Sequence, residues 1–154
     1  MLVSQLSDED TITLEITRRD TVIILVSMYW DRQKTIEQGL NKVDKILQHG
    51  KSVGVIITMD SKARSTSWHD ITTNNRGKIL EYIISKQIHI MNEPSTKTTF
   101  GNRIGKSNID LSLSTSNVLG RITDWKISDE KSNSDHSIIT YGIKMRKDTK
   151  TTQT

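Results

Sequence analysis

Two apolar runs, the continuous Val22-Ile23-Ile24-Leu25-Val26 and the stretch from Val53 to Met59 broken only by Gly54 and Thr58, constrain this chain more than any other feature. Each is too short for a typical helix and rich in β-branched residues, so each reads as a strand buried on both faces. Between Gln33 and Gln48 the apolar positions Ile36, Leu40, Val43 and Leu47 form the single stripe of an amphipathic helix, ended by Gly50. Strands that need cover on both faces, with helices to cover them, predict an α/β layered sandwich.

The remaining pattern fits that plan. Thr11 to Thr17 alternates, which puts Ile12, Leu14 and Ile16 on one face of a strand, with Arg18-Arg19-Asp20 as a turn. Ile79, Leu80, Ile83 and Ile84 make the stripe of a second helix, with Asn74 or Asn75 as its N-cap. Shorter strand-like pieces follow at Ile88 to Met91, Ile109 to Ser114, Arg121 to Ile127 and Ser137 to Ile143. At 154 residues the chain has room for one domain, and at 33% hydrophobic residues its core is thin, which suggests a sheet-rich or incomplete domain. No run approaches the ~20 apolar residues that span a bilayer, and no signal peptide is visible before Thr11. With no cysteine, disulfides, thiolate zinc sites and Cys nucleophiles are excluded. The net charge of +4 is compatible with a polyanionic partner and equally with a solvated basic surface.

Polar residues at the ends of buried strands are the places to look for chemistry. Asp60 directly follows the second apolar run, where a turn or helix-cap aspartate is the plain alternative. Asp110 lies within Ile109-Asp110-Leu111-Ser112-Leu113, opposite in direction to the three apolar side chains; Ser112 and Ser114 share its face, as on an ordinary solvent-facing surface. Ser134-Asp135-His136 precedes the last strand. A histidine beside one carboxylate and oriented by another serves as a general base or binds a phosphoryl oxygen, while further carboxylates hold a divalent metal. Asp60, Asp110, Asp135 and His136 supply that kit if their strand ends converge.

The ordered series resembles the endonuclease/exonuclease/phosphatase superfamily, and within it the apurinic-like endonuclease domain of R1-type non-LTR retrotransposons. Ser27-Met28-Tyr29 resembles the strand end that carries the family's tyrosine, and Met59-Asp60-Ser61-Lys62-Ala63 with Trp68 resembles its Gly-Asp-Phe-Asn-Ala motif and downstream tryptophan. Asn75-Arg76-Gly77 opens the following helix, Thr98-Thr99-Phe100 matches a Thr-Phe pair, and Ser107-Asn108-Ile109-Asp110-Leu111 matches Ser-x-Ile-Asp-Leu. Asp124-Trp125 and Ser134-Asp135-His136 complete the order. The resemblance implies a four-layer αββα sandwich of the DNase I-like type over residues 1–145, with the N-terminal strands missing and a polar basic tail at 146–154.

The same resemblance implies roles. Asp60 would position or activate the attacking water, His136 would contact the scissile phosphate, and Asp110 would hold its imidazole in one tautomer. Tyr29 would hydrogen-bond a phosphate oxygen, Asp135 would be a metal or supporting carboxylate, and Lys62, Arg64 and Arg76 would contact DNA phosphates. The implied reaction is Mg²⁺- or Mn²⁺-dependent nicking of DNA inside a retroelement polyprotein with reverse transcriptase, which implies an intracellular, nuclear setting. Two positions depart from the family. Lys62 stands where an asparagine is usual, and the family's metal-binding glutamate has no counterpart in a matching motif, Glu9 and Glu15 being the only glutamates before Thr17. The readings to separate are therefore an active endonuclease, a catalytically inactive remnant that retains DNA binding, and a phosphatase or exonuclease of the same superfamily. Missing strands would also leave an unpaired apolar sheet edge, prone to self-association.

Overall fold

The computed structural model describes residues 1–145; the expected basic tail at 146–154 and the side chains of Ile83, Lys86 and Gln87 lie outside the described residues. Thr11–Arg18 (β1) pairs antiparallel with Thr21–Tyr29 (β2). The first apolar run lies in β2 and the second fills Val55–Asp60 (β3), and these two strands pair in parallel. A parallel pair needs a crossover, and the predicted helix supplies it as Ile36–His49 (α1). Thr35 caps α1: its side chain accepts from the Gln38 amide while Gln38 reaches back to the Thr35 amide, a reciprocal pair worth about 1 kcal/mol.

The second predicted helix is Asn75–Gln87 (α2), and its N-cap is Asn74, whose Oδ1 accepts from Gly77 N at 2.8 Å. His89–Ile90 (β4) leads to a short hairpin of Phe100–Gly101 (β5) and Lys106–Ser107 (β6) that the sequence pattern did not predict. Asp110–Ser114 (β7) then inserts between β3 and β4, so the main sheet runs β1-β2-β3-β7-β4. A single turn of helix, Ser116–Leu119 (α3), precedes Ile122–Ile127 (β8), which pairs with Ile139–Ile143 (β9) in a separate ribbon.

The two faces of the main sheet carry two cores. On one, Ile24, Val26, Met28, Val55, Ile57, Met59, Leu111 and Leu113 pack against Val43 and Ile46 of α1 and Leu80 and Ile84 of α2. On the other, Ile23 and Ile56 pack against Trp125 and Ile127 of β8. Helices, five-stranded sheet and ribbon therefore form the layers that the doubly buried strands demand. No helix among the described residues is long and apolar enough to cross a membrane.

Ile12, Leu14 and Ile16 share one face of β1, but alternation fails to say which face is buried: Ile12 is 54% and Ile16 37% exposed, while Thr11 and Thr13 are buried. The cause is coverage. The ribbon core gathers around Ile23 and Ile56, whereas the N-terminal segment folds over the Thr face, with Thr13 Oγ1 donating to Leu6 O at 2.7 Å. The surface reading of Ser112 and Ser114 also fails, because both are buried between the layers and Trp125 Nε1 donates to Ser112 Oγ at 3.0 Å.

One close approach ties the loop after β3 to α2. A Cβ at Gly77 would sit 1.9 Å from the Arg64 carbonyl oxygen, a backbone atom that cannot swing away. Gly77→Ala is thus expected to destabilise the fold by about 1–3 kcal/mol despite alanine's better helix propensity. A lowered denaturant midpoint with an unchanged slope checks this.

Candidate active site

The register of three strands builds the site. Tyr29 ends β2, Asp60 ends β3 and Asp110 begins β7, and the pairing sets Tyr29 opposite Asp60 and Asp60 opposite Asp110. Residues directly opposite share a face. This row therefore faces the ribbon side of the sheet, at the mouth of a cleft of about 610 Å³ that Ile139 and Tyr141 also line. His136 is carried in from the segment before β9. Its loop is tied down by Gly101 N donating to Asp135 O at 2.9 Å and Ser137 N to Thr99 O at 2.8 Å, and its ring meets Phe100 edge-on with centroids 5.0 Å apart.

His136 Nδ1 lies 3.0 Å from both oxygens of Asp110. A carboxylate only accepts, so Nδ1 carries the proton and Nε2 is turned into the cleft, 3.6 Å from Asp60 Oδ2. Burial pushes the Asp110 carboxyl above its ordinary value, with the neighbouring Asp60 charge acting in the same direction and the His136 hydrogen bond acting against it. Lys62 Nζ donates to Asp60 Oδ2 at 2.8 Å and stands 5.4 Å over the Tyr29 ring. The other oxygen, Asp60 Oδ1, is buried without a hydrogen-bond partner.

That orphaned acceptor bears on a metal. Asp60, Asp110 and His136 each offer a ligand atom, all within 4.8 Å of one another, and no other such cluster exists among the described residues. Two carboxylates, one with an unsatisfied oxygen, fit a hard divalent cation that prefers oxygen ligands. The set does not select among such ions.

The other expected site residues lie elsewhere. Asp135 is exposed and is not part of the cluster. The Arg64 guanidinium is bound to Asp70 through Nε at 3.0 Å and Nη2 at 2.7 Å. Arg76 donates to the carbonyls of Trp30, Asp31, Lys34 and Ser61 and lies over the Trp30 ring. Both arginines thus brace the loops around the cleft. Trp30, whose indole packs in the helix-side core, is held by the same guanidinium.

A buried polar chain behind Asp110 was not foreseen. Asp110 N donates to Thr99 Oγ1, Thr99 N to Asn108 Oδ1, and Asn108 N to Asp70 Oδ2. Asn92 clamps the same strand, donating to Asp110 O and accepting from Ser112 N. Burial would raise the Asp70 carboxyl, but the bonds from Arg64 and Asn108 outweigh it and lower its pKa. The signal available in the sequence was weak: Asn and Asp residues in loops with no local partner.

Comparisons with known proteins bear on the fold and the family. No curated protein matches the sequence. Among solved structures, the endonuclease domain of TRAS1, a telomere-specific non-LTR retrotransposon, superposes with a TM-score of 0.86 at 26% identity, covering 96% of this chain and 69% of that one. The AP endonuclease LMAP from Leishmania major gives 0.67 at 9% identity, covering 89% and 55%. An endonuclease/exonuclease/phosphatase family protein from Leptotrichia buccalis gives 0.61 at 16% identity, covering 87% and 53%. The chain thus spans about half the length of the latter two. The layering is the α/β DNase I-like fold. The endonuclease-reverse transcriptase family model matches residues 23–140. That span takes in Tyr29, Asp60, Asp110 and His136, and the chain belongs to the endonuclease-reverse transcriptase family.

Proposed function

We propose that this chain is the phosphodiester-cleaving part of a retroelement endonuclease, nicking DNA with a divalent cation, Mg²⁺ or Mn²⁺. The observation that carries the reading is the Asp110–His136–Asp60 arrangement lining the cleft, with Nε2 turned toward Asp60 and Asp60 Oδ1 unpartnered. The match to a retrotransposon endonuclease domain supports DNA as substrate, a nuclear setting and a polyprotein with reverse transcriptase.

The chain's own residues divide the work. Asp110 holds His136 Nδ1–H, so that Nε2, when protonated, donates to a non-bridging oxygen of the scissile phosphate. Asp60 orients a water whose oxygen bonds to phosphorus as the bond from phosphorus to O3′ breaks, and a proton from solvent or a side chain leaves the O3′ as a hydroxyl. Tyr29, exposed where it lines the cleft, donates to a phosphate oxygen. Asp60, with Asp110 beside it, would hold a divalent cation, whose charge would neutralise the negative charge that builds on the phosphoryl oxygens. A second reading, an inactive remnant with residual DNA binding, is favoured by one observation: among the described residues no glutamate joins the three clustered ligands.

Nicking of supercoiled plasmid with Mg²⁺ or Mn²⁺ separates the two. The active reading expects nicking that falls by about 10²-fold or more in Asp60→Ala and in His136→Ala. DNA retention without nicking in the unaltered chain supports the remnant, and activity that survives in both variants rejects the site.

Asp110 also makes a stability prediction. Its folded pKa is raised, so the stability it contributes is full below the ordinary carboxylate range and lost as pH rises through the folded value. Asp110→Asn is therefore expected to be more resistant to denaturant than the unaltered chain at neutral pH. That advantage shrinks as pH is lowered toward the ordinary range, while the variant's nicking activity falls.

A further inference from the structure

Lys62 occupies an unusual backbone state. Its φ is +54°, in the left-handed region that lysine rarely adopts, and it is neither glycine nor asparagine. The flanking residues leave it no alternative. Ser61 and Ala63 are buried, Ser61 Oγ donates to Ile109 O at 2.7 Å, Ala63 N donates to Ser61 Oγ at 3.1 Å, and Asn74 Nδ2 donates to Lys62 O at 3.4 Å. Strain of this kind persists where the surroundings over-determine it, and it marks places where a side chain is being aimed.

The aim is inward. The Lys62 and Asp60 side chains are only 16% and 17% exposed, and their ion pair closes at 2.8 Å. Tyr29 lies beneath the ammonium at 5.4 Å from the ring centroid, so the charge is held from a second side. The two oxygens of Asp60 are consequently unequal. Oδ2 is bound to the ammonium and faces His136, while Oδ1 has no partner.

We propose that Lys62 is a positioning residue that acts through Asp60, as an internal cation competing with the divalent ion for the same carboxylate. The inference rests on reading the carboxylates of Asp60 and Asp110 as a cation site. The ammonium holds Asp60 by Oδ2 and leaves the buried Oδ1 without a partner. It also sets a like charge beside any incoming cation, and like charges held this close in a partly buried site repel strongly. The site therefore binds divalent ions more weakly than its two carboxylates alone would.

Direct binding of Mn²⁺, followed by calorimetry and by the spin resonance of the free ion, tests this on the full chain. Lys62→Asn and Lys62→Gly both suit the positive φ, so either serves should the other fold poorly. Both are expected to tighten Mn²⁺ binding by about tenfold or more, and Lys62→Arg is expected to stay near the unaltered affinity. Adding Asp60→Asn to Lys62→Asn is expected to abolish the gain. Equal binding in all forms that is still lost with Asp60→Asn overturns the role of Lys62 alone. No Mn²⁺ binding in Lys62→Asn or Lys62→Gly overturns the cation site and this inference with it.

Discussion

The lateral registration of β2, β3 and β7 is the constraint on which the rest depends. Tyr29, Asp60 and Asp110 become neighbours because Ile24, Val26 and Met28 align with Val55, Ile57 and Met59, and these with Leu111 and Leu113, toward the helices. A slip of one residue in any strand would turn its apolar set into the ribbon side and its functional residue into the helical core. The register is therefore enforced by burial of a core on each face, and the site is positioned by packing that has nothing to do with phosphate chemistry.

Packing fixes the row but not the histidine, which arrives on a loop. There the fold relies on hydrogen bonds. The Ser134–His136 segment is stitched to the β5 hairpin, and that hairpin is stitched through Thr99 and Asn108 to Asp70 and Arg64. Asp70 is the hub: its two oxygens together receive the Arg64 guanidinium and the amides of Ile71 and Asn108. Such a chain is costly to leave half-satisfied in a buried setting, which makes it specify a single loop conformation.

These two mechanisms explain what the sequence revealed. The apolar runs of β2 and β3, the α1 stripe and the Asn74 cap were legible because periodicity and capping are local. Asp60, Asp110 and His136 were legible as an ordered series of motifs, and the structure brings those three together. The burial of Ser112, the exposure of Ile12 and the bracing by Arg64 and Arg76 were not. Each depends on which distant element covers the residue, and alternation in one strand cannot say whether the opposite face meets water or a second layer. The β5–β6 hairpin was missed because its strands are two residues each and carry no period at all.

The electrostatics of the row show why its neighbours are cationic. Asp60 and Asp110 face each other across adjacent strands, and the charge on Asp60 is one of the influences that raise Asp110. Like charges directly opposite in a sheet are destabilising, and partial burial makes them more so. The folded chain offsets this with the Lys62 ammonium on Asp60 and the His136 hydrogen bond on Asp110, and the Asp60 charge in turn favours the charged form of Arg76. The arrangement thus carries part of its own counter-charge, on Lys62, before any cation or substrate arrives. A site stabilised in that way keeps its geometry when empty, but an incoming metal ion gains less from it, because the chain has already supplied part of the counter-charge. On the proposal made for Lys62, the ammonium that lets the carboxylates sit side by side also sets the strength with which they attract an ion.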